Sequence, residues 1–371
     1  MIIKSIDSIY ERMDLFNKKG SHRRHIKMKK RYLALIVLFA LWLTPSLIQA
    51  EDSLNGFMFA DYYNVINHHV EDYEGQHGFW FRRIYFTYNS DLTDKIKMRL
   101  RFEMASSDFT KDSDNLYAFV KDAYLSFKVG SSNLLAGIIS TPTWGNNVEN
   151  MWGYRALEKT PMDLFKLGSS RDFGIGFKGN FDKDKKFSYN FLIGNGASNK
   201  SETNQGKKLY GAIAFKPVKG LVFELYGDYE VKSEIEKYTV YQGFAGYMGE
   251  WGRIGFLYAN RHLENAMMDY DAGVFSGFAV IKAGEKIDII GRYDTTFGDW
   301  WEAKFKGSKV SWVPMADNVK PSFIILAVSY KLAKDIWLIP NIKLATYQTP
   351  NEGEKPNNDL YANLTLWFKF K

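Results

Sequence analysis

The sequence contains no cysteine. The chain therefore has no disulfide framework, and it cannot use a thiolate as a nucleophile or a metal ligand. After residue 50, no apolar run reaches the length of about 18 residues that a membrane-spanning helix requires. A helical membrane protein is thereby excluded, and a chain of this kind can cross a bilayer only as a closed β-barrel.

Histidine is scarce, and after residue 50 it occurs only as His68, His69, His77 and His262. Adjacent residues of a strand point to opposite faces, so His68 and His69 are not expected to share a metal ion. We predict no metal site and no other cofactor. No histidine stands at a motif spacing for a Ser-His-acid hydrolase, and no catalysis is predicted.

The first fifty residues have the composition of a targeting segment. A basic region precedes an apolar core at Tyr32–Leu43, which is too short to span a bilayer. Ile48-Gln49-Ala50 is a plausible cleavage site, so we predict cleavage after Ala50, with Met28 as the true start. The remaining residues, 51–371, are predicted to form one domain.

This segment also accounts for the net charge of +7, since it holds 10 of the 49 basic and 3 of the 42 acidic residues. The rest of the chain is balanced. No basic run interleaved with aromatic residues follows, so no nucleic-acid partner is predicted.

The stretch Lys95–Ala105, KIKMRLRFEMA, alternates apolar and charged residues without a break. This two-residue period predicts a strand with one apolar and one charged face. A pore wall between lipid and water would satisfy both faces. The alternative is an amphipathic strand on the outside of a soluble sandwich.

Strand-like runs recur at roughly 20-residue intervals from Phe57 to Phe370, and short and long connections alternate between them. We count sixteen. The last run, Leu360–Phe370, alternates almost to the chain end. Even strand number and alternating connections are typical of outer-membrane barrels. We therefore predict an all-β fold, a transmembrane antiparallel β-barrel of about 16 strands.

The segment between the fifth and sixth strands, Ser140 to Ser170, is long and too apolar for a freely solvated loop. We expect it to fold into the barrel and narrow the pore. The alternative is a loop that packs over the rim or at a subunit contact. The candidate constriction residues are Asn146, Glu149, Arg155, Glu158 and Lys159.

Charged residues on the inner face of the early strands and of one later strand are the candidate pore lining. Fixed positive charge in a water-filled channel attracts anions, although carboxylates among these residues would oppose it. The alternative is that the charges merely keep the lumen wet. The candidates are Arg83, Lys97, Arg99, Arg101, Glu103, Arg171, Arg292 and Asp294.

Several stretches, in this order along the chain, resemble the phosphate-selective porin O and P family. The resemblance implies a sixteen-stranded barrel, usually trimeric, with the loop after the fifth strand in the lumen. It also implies that arginines line the passage, at positions matched here by Arg83, Arg99, Arg101, Arg155 and Arg171. The similar stretches are residues 78–83, 121–125, 137–142, 170–174, 195–196 and 291–294.

We therefore expect an outer-membrane porin through which small hydrophilic solutes diffuse, with a preference for anions. The expected partners are outer-membrane lipid, these solutes and two further copies in a homotrimer. Two alternatives are a soluble exported β protein that binds glycans or a surface partner, and a barrel hydrolase such as a lipase.

Overall fold

Sixteen antiparallel strands close into one barrel in the computed structural model, which describes residues 52–106, 116–142, 147–265, 269–300, 308–350 and 353–371. The predicted targeting segment and Asn146 lie outside the described residues. The barrel strands are β1 (Asp52–Asn67), β2 (His77–Thr93), β3 (Ile96–Ser106), β4 (Leu116–Val129), β5 (Ser132–Ser140), β6 (Arg171–Asn180), β7 (Phe187–Gly194), β8 (Lys207–Phe215), β9 (Leu221–Ser233), β10 (Glu236–Gly249), β11 (Gly252–Asn265), β12 (Tyr270–Lys282), β13 (Ile287–Gly298), β16 (Pro321–Ala333), β17 (Ile336–Tyr347) and β18 (Asp359–Phe370).

Each strand pairs with its neighbours in sequence, and β1 closes the barrel on β18 with pairs such as Phe59–Trp367 and Tyr62–Leu364. The connection between β13 and β16 contains two short strands, β14 (Lys309–Val310) and β15 (Val313–Pro314), which form a separate hairpin. We call residues 309–314 the cover hairpin. The predicted fold class is confirmed.

Alternating side chains divide each strand between a lipid face and an interior face. On β9, Phe223 and Leu225 are 45% and 72% exposed, whereas the intervening Glu224 is 2% exposed. Charged groups are thus buried inside while large apolar groups lie outside, the reverse of a water-soluble protein. The arrangement is that of a transmembrane barrel and not of the soluble sandwich.

Two β-bulges change this alternation near the middle of the barrel wall. Phe59 of β1 pairs with Arg83 of β2, and the next residue, Ala60, pairs with Phe81. Arg82 of β2 therefore has no partner on β1, and Arg82 and Arg83 are both buried in the interior. Lys121 is likewise extra on β4, between the pairs that Asp122 and Val120 make with β3. Each bulge places two consecutive charged residues inside the barrel, which a regular strand cannot do.

The turn between β2 and β3 is two residues long. Strand β2 continues to Thr93, and the turn is Asp94–Lys95. The ladder extends because Asp91 pairs with Lys97, and their side chains form an ion pair of 2.6 Å.

The segment between β5 and β6 enters the barrel, and we call its described residues 147–170 the inward loop. It contains two short helices, α1 (Asn147–Trp152) and α2 (Pro161–Leu164). Its apolar side chains pack against the inner faces of later strands, for example Trp152 on Phe278 at 5.3 Å between ring centroids. Full burial of such a side chain contributes roughly 1.5–3 kcal/mol. None of the helices in the described residues is long and apolar enough to cross a membrane.

Candidate functional site

A cavity of about 400 Å³ lies inside the barrel between the inward loop and strands β1–β7. Its wall combines arginines and lysines with apolar and aromatic side chains such as Phe57 and Leu135. A second cavity of about 340 Å³ shares Asn150, Lys178 and Asn190 with the first. It reaches the short turns at Ser131 and Lys216. We call the two cavities together the passage.

The first cavity is rich in positive charge. Among the described residues, two carboxylates, Asp122 and Glu149, accompany six basic side chains there, so the formal charge of this lining is +4. The basic residues are Arg99, Arg101, Lys121, Arg155, Arg171 and Lys178.

Asp122 organises three of the arginines. Its carboxylate lies 2.9 Å from Nε of Arg99 and 3.8 Å from Nε of Arg101, and it accepts a hydrogen bond from Nε of Arg171. Asn89 and Thr87 accept further hydrogen bonds from Arg99 and Arg101, at 2.9 and 2.7 Å. One buried carboxylate therefore fixes three guanidinium groups and leaves the cluster with excess positive charge.

The other predicted pore-lining residues lie inside the barrel or at its rim, but not on the first cavity. Lys97 is at the rim beside Asp91, and its side chain is 62% exposed. Arg83 and Glu103 form a buried ion pair at 2.7 Å. Arg292 and Asp294 form another, at 2.6 Å, beneath the inward loop.

The predicted constriction residues divide between two environments. Glu149 and Arg155 line the first cavity, where Arg155 also lies 3.0 Å from Asp163. Glu158 and Lys159 are buried and turn toward the cover hairpin. Burial lowers the pKa of the Lys159 ammonium to about 7, although Asp163 and Glu158 favour its charged form.

Sequence reasoning did not select Lys121, Asp122 or Lys178 as site residues. The signal for Lys178 was available, since Phe173, Ile175 and Phe177 alternate with it and face outward. Lys121 and Asp122 occupy adjacent positions, which in a regular strand face opposite sides. Only the bulge reveals that both reach the interior.

The histidine prediction requires a correction. His68 and His69 lie just past the end of β1, where strand alternation no longer applies, and their ring centroids are 4.3 Å apart. With Asp359 they form the group of possible metal ligands found among the described residues, with ligand atoms within 4.8 Å of one another.

The possible metal-ligand atoms of His68, His69 and Asp359 already form hydrogen bonds within the protein. Nδ1 of His68 accepts a hydrogen bond from the Val70 amide at 2.9 Å, so its proton is on Nε2, which donates to the Pro314 carbonyl at 3.1 Å. Asp359 accepts hydrogen bonds from His69 and Tyr347. A metal would have to displace these bonds, and the group is best described as a link between loops at the barrel mouth.

Solved structures of bacterial outer-membrane proteins share the fold. The anion-selective porin from Comamonas acidovorans superposes with a TM-score of 0.63 at 12% identity, covering 87% of this chain and 100% of that chain. The outer membrane channel DcaP of Acinetobacter baumannii gives 0.61 at 13% identity, with 88% and 99% covered. The trimer form of OmpT from Vibrio cholerae gives 0.59 at 13%, with 87% and 100% covered.

A search of curated proteins returns no match. The family model described as phosphate-selective porin O and P matches residues 54–239, which is half of the chain. This match agrees with the resemblance found in the sequence and with the closed sixteen-stranded barrel. The chain belongs to the phosphate-selective porin O and P family and is an outer-membrane porin.

Proposed function

We propose that this porin is a passive diffusion channel that favours small anions. The observation that carries the proposal is the lining of the first cavity, where six basic side chains face two carboxylates. Solutes would move between the inward loop and strands β1–β9, and no bond would be made or broken.

Selectivity would arise from charges that are fixed before the solute arrives. Asp122 holds Arg99, Arg101 and Arg171, so their positions do not have to be reorganised around each anion. The side chains of these arginines stay partly exposed, at 24%, 17% and 10%. An anion can therefore lose part of its hydration shell, contact several of these arginine N–H donors, and then dissociate.

The test is the reversal potential of the reconstituted porin in a planar bilayer under a salt gradient. Arg99→Glu with Arg101→Glu changes the formal charge of the first cavity from +4 to zero, so the permeability ratio should shift toward cations. A matched control is Lys286→Glu with Lys334→Glu, which changes the total charge equally at exposed short turns. An unchanged reversal potential in the Arg99 and Arg101 variant would remove these residues from the ion path.

Three further parts of the proposal concern the whole protein. Residues 28–50 would act as a signal peptide cleaved after Ala50, and the mature chain would assemble as a homotrimer in outer-membrane lipid. The trimer form of the Vibrio cholerae OmpT supports the assembly by analogy of fold. N-terminal sequencing of the protein from outer membranes and cross-linking of unheated samples would test these points.

A further inference from the structure

The inward loop is bound to the barrel wall by basic side chains that donate to its main-chain carbonyl groups. Arg253 and Arg261 of β11 donate to the carbonyls of Trp152 and Lys166, at 3.2 and 3.1 Å. Three further donor and acceptor pairs bind the centre of the loop: Arg82 of β2 with Ala156, Lys343 of β17 with Leu157 at 2.5 Å, and Arg292 of β13 with Lys159 at 2.5 Å.

We call Arg82, Arg292 and Lys343 the carbonyl clamp. All three are buried, and Lys343 has no exposed surface. Asp294 binds one edge of the Arg292 guanidinium at 2.6–3.0 Å, which leaves the remaining N–H for the loop carbonyl. Asp61 likewise accepts hydrogen bonds from Nε and Nη2 of Arg82, and Nη2 also donates to the Ala156 carbonyl. These cations therefore contact the loop backbone and not the passage.

The cover hairpin lies against the same part of the loop. The Ser311 amide donates to Glu158 at 2.8 Å, and Lys343 donates to the Ser311 hydroxyl. Nε1 of Trp312 donates to the Arg82 carbonyl at 2.8 Å, and its ring lies 4.5 Å from Nζ of Lys159. The hairpin thus contacts both the loop and its clamp.

The turn of the cover hairpin has an unfavourable backbone for its sequence. Ser311 and Trp312 have φ values of 47° and 74°, in the left-handed region where two-residue hairpin turns prefer glycine or asparagine. A bulky residue there costs free energy. The contacts of the Trp312 ring and Nε1 offset this cost, which indicates that the side chain has a positioning role.

We propose that the carbonyl clamp and the cover hairpin set the width of the channel. They hold the inward loop against strands β10–β13 and β16–β18 and, through Arg82, against β2, so that both described cavities of the passage lie between the loop and β1–β9. The inference rests on the proposed channel function and assigns a size limit to it. Arg82, Arg292, Lys343 and Trp312 are positioning residues, because they act on solutes through the loop.

Lys343→Met tests the clamp, since methionine fills a similar volume but donates no hydrogen bond. Single-channel conductance is expected to rise about twofold as the loop leaves the wall. Larger neutral sugars should then enter proteoliposomes in a swelling assay. The reversal potential should stay on the anion side, because five of the six cations of the first cavity lie on strands β3, β4 and β6 and do not move with the loop. Lys343→Arg should restore the narrow channel, and Lys334→Met at an exposed turn is the matched control.

Trp312→Gly tests the hairpin independently of the clamp. Glycine suits the positive φ, so the backbone is favoured while the contacts of the side chain are lost. We expect the same rise in conductance with normal assembly of the barrel. If both variants assemble and keep the wild-type conductance and size limit, the inference is wrong. A wild-type barrel that carries no current would overturn the channel function itself.

Discussion

Reversing the charge of Lys178 isolates the electrostatic part of the proposed selectivity. Lys178 lines both cavities of the passage, and among the described residues no carboxylate forms an ion pair with it. Lys178→Glu therefore lowers the formal charge of the first cavity from +4 to +2 without breaking a salt bridge. The Asp122 cluster should stay in place.

The expected effect follows from Coulomb's law. At about 7 Å from a monovalent ion, one charge contributes about 0.6 kcal/mol in water and about 2.4 kcal/mol at an effective dielectric of about 20. Reversal doubles the change, and screening at about 0.1 M salt reduces it by roughly half. The electrostatic energies of an anion and of a cation in the passage change in opposite directions. The lower estimate, for water, therefore already changes the anion-to-cation permeability ratio by roughly tenfold.

Reversal potentials of the wild type, Lys178→Glu and the control Lys334→Glu would be compared in planar bilayers at about 0.1 M salt. At about 1 M the Debye length falls to about 3 Å, and the difference should largely disappear. A reversal potential at low salt equal to that of the wild type would refute the reasoning. Equal shifts in both variants would also refute it, since total charge and not passage charge would then be responsible.

Two further predictions concern stability. Asp359→Asn weakens the hydrogen bonds that the Asp359 carboxylate accepts from His69 and Tyr347. Thermal melts should show a free energy of unfolding lower by roughly 2 kcal/mol. A rise of the wild-type Tm on addition of Zn²⁺ would contradict the description of this group as fully hydrogen-bonded. The pKa of Lys159 is about 7 in the native state, below its ordinary value of 10.5. Between pH 7 and pH 10.5 the Lys159 amine therefore binds a proton in the unfolded chain and not in the native protein. Stability in urea should rise from pH 7 to 9, by at most about 1.4 kcal/mol per unit, and Lys159→Met should abolish this rise.

The barrel could be predicted from the sequence because its strands repeat the same alternation of apolar and polar residues. Leu225 and Glu224, or Phe177 and Lys178, are assigned to opposite faces by position alone, and lipid on one side with water on the other requires this pattern. The even strand number and the long inward segment follow from the same reading. Local patterns determine these features, so no long-range contact has to be known.

The roles of the inner charges could not be predicted in this way. Arg99 and Arg292 both occupy inward positions, yet one lines the passage and the other binds the Lys159 carbonyl beneath the loop. The difference depends on where the inward loop rests, which is a contact between residues more than a hundred positions apart. The cover hairpin was missed, although Val310, Val313 and Met315 form an apolar run unusual for a solvated loop.

The two bulges have a consequence for tolerance to sequence change. Deleting one residue from a regular strand would move every following side chain to the opposite surface, bringing charges into lipid and aromatic rings into water. At Arg82 or Lys121 the wall already carries a surplus residue, which the partner strand does not match. Shortening β2 or β4 by that one position would restore a continuous ladder, so the wall can lose a residue there while every other side chain keeps its face.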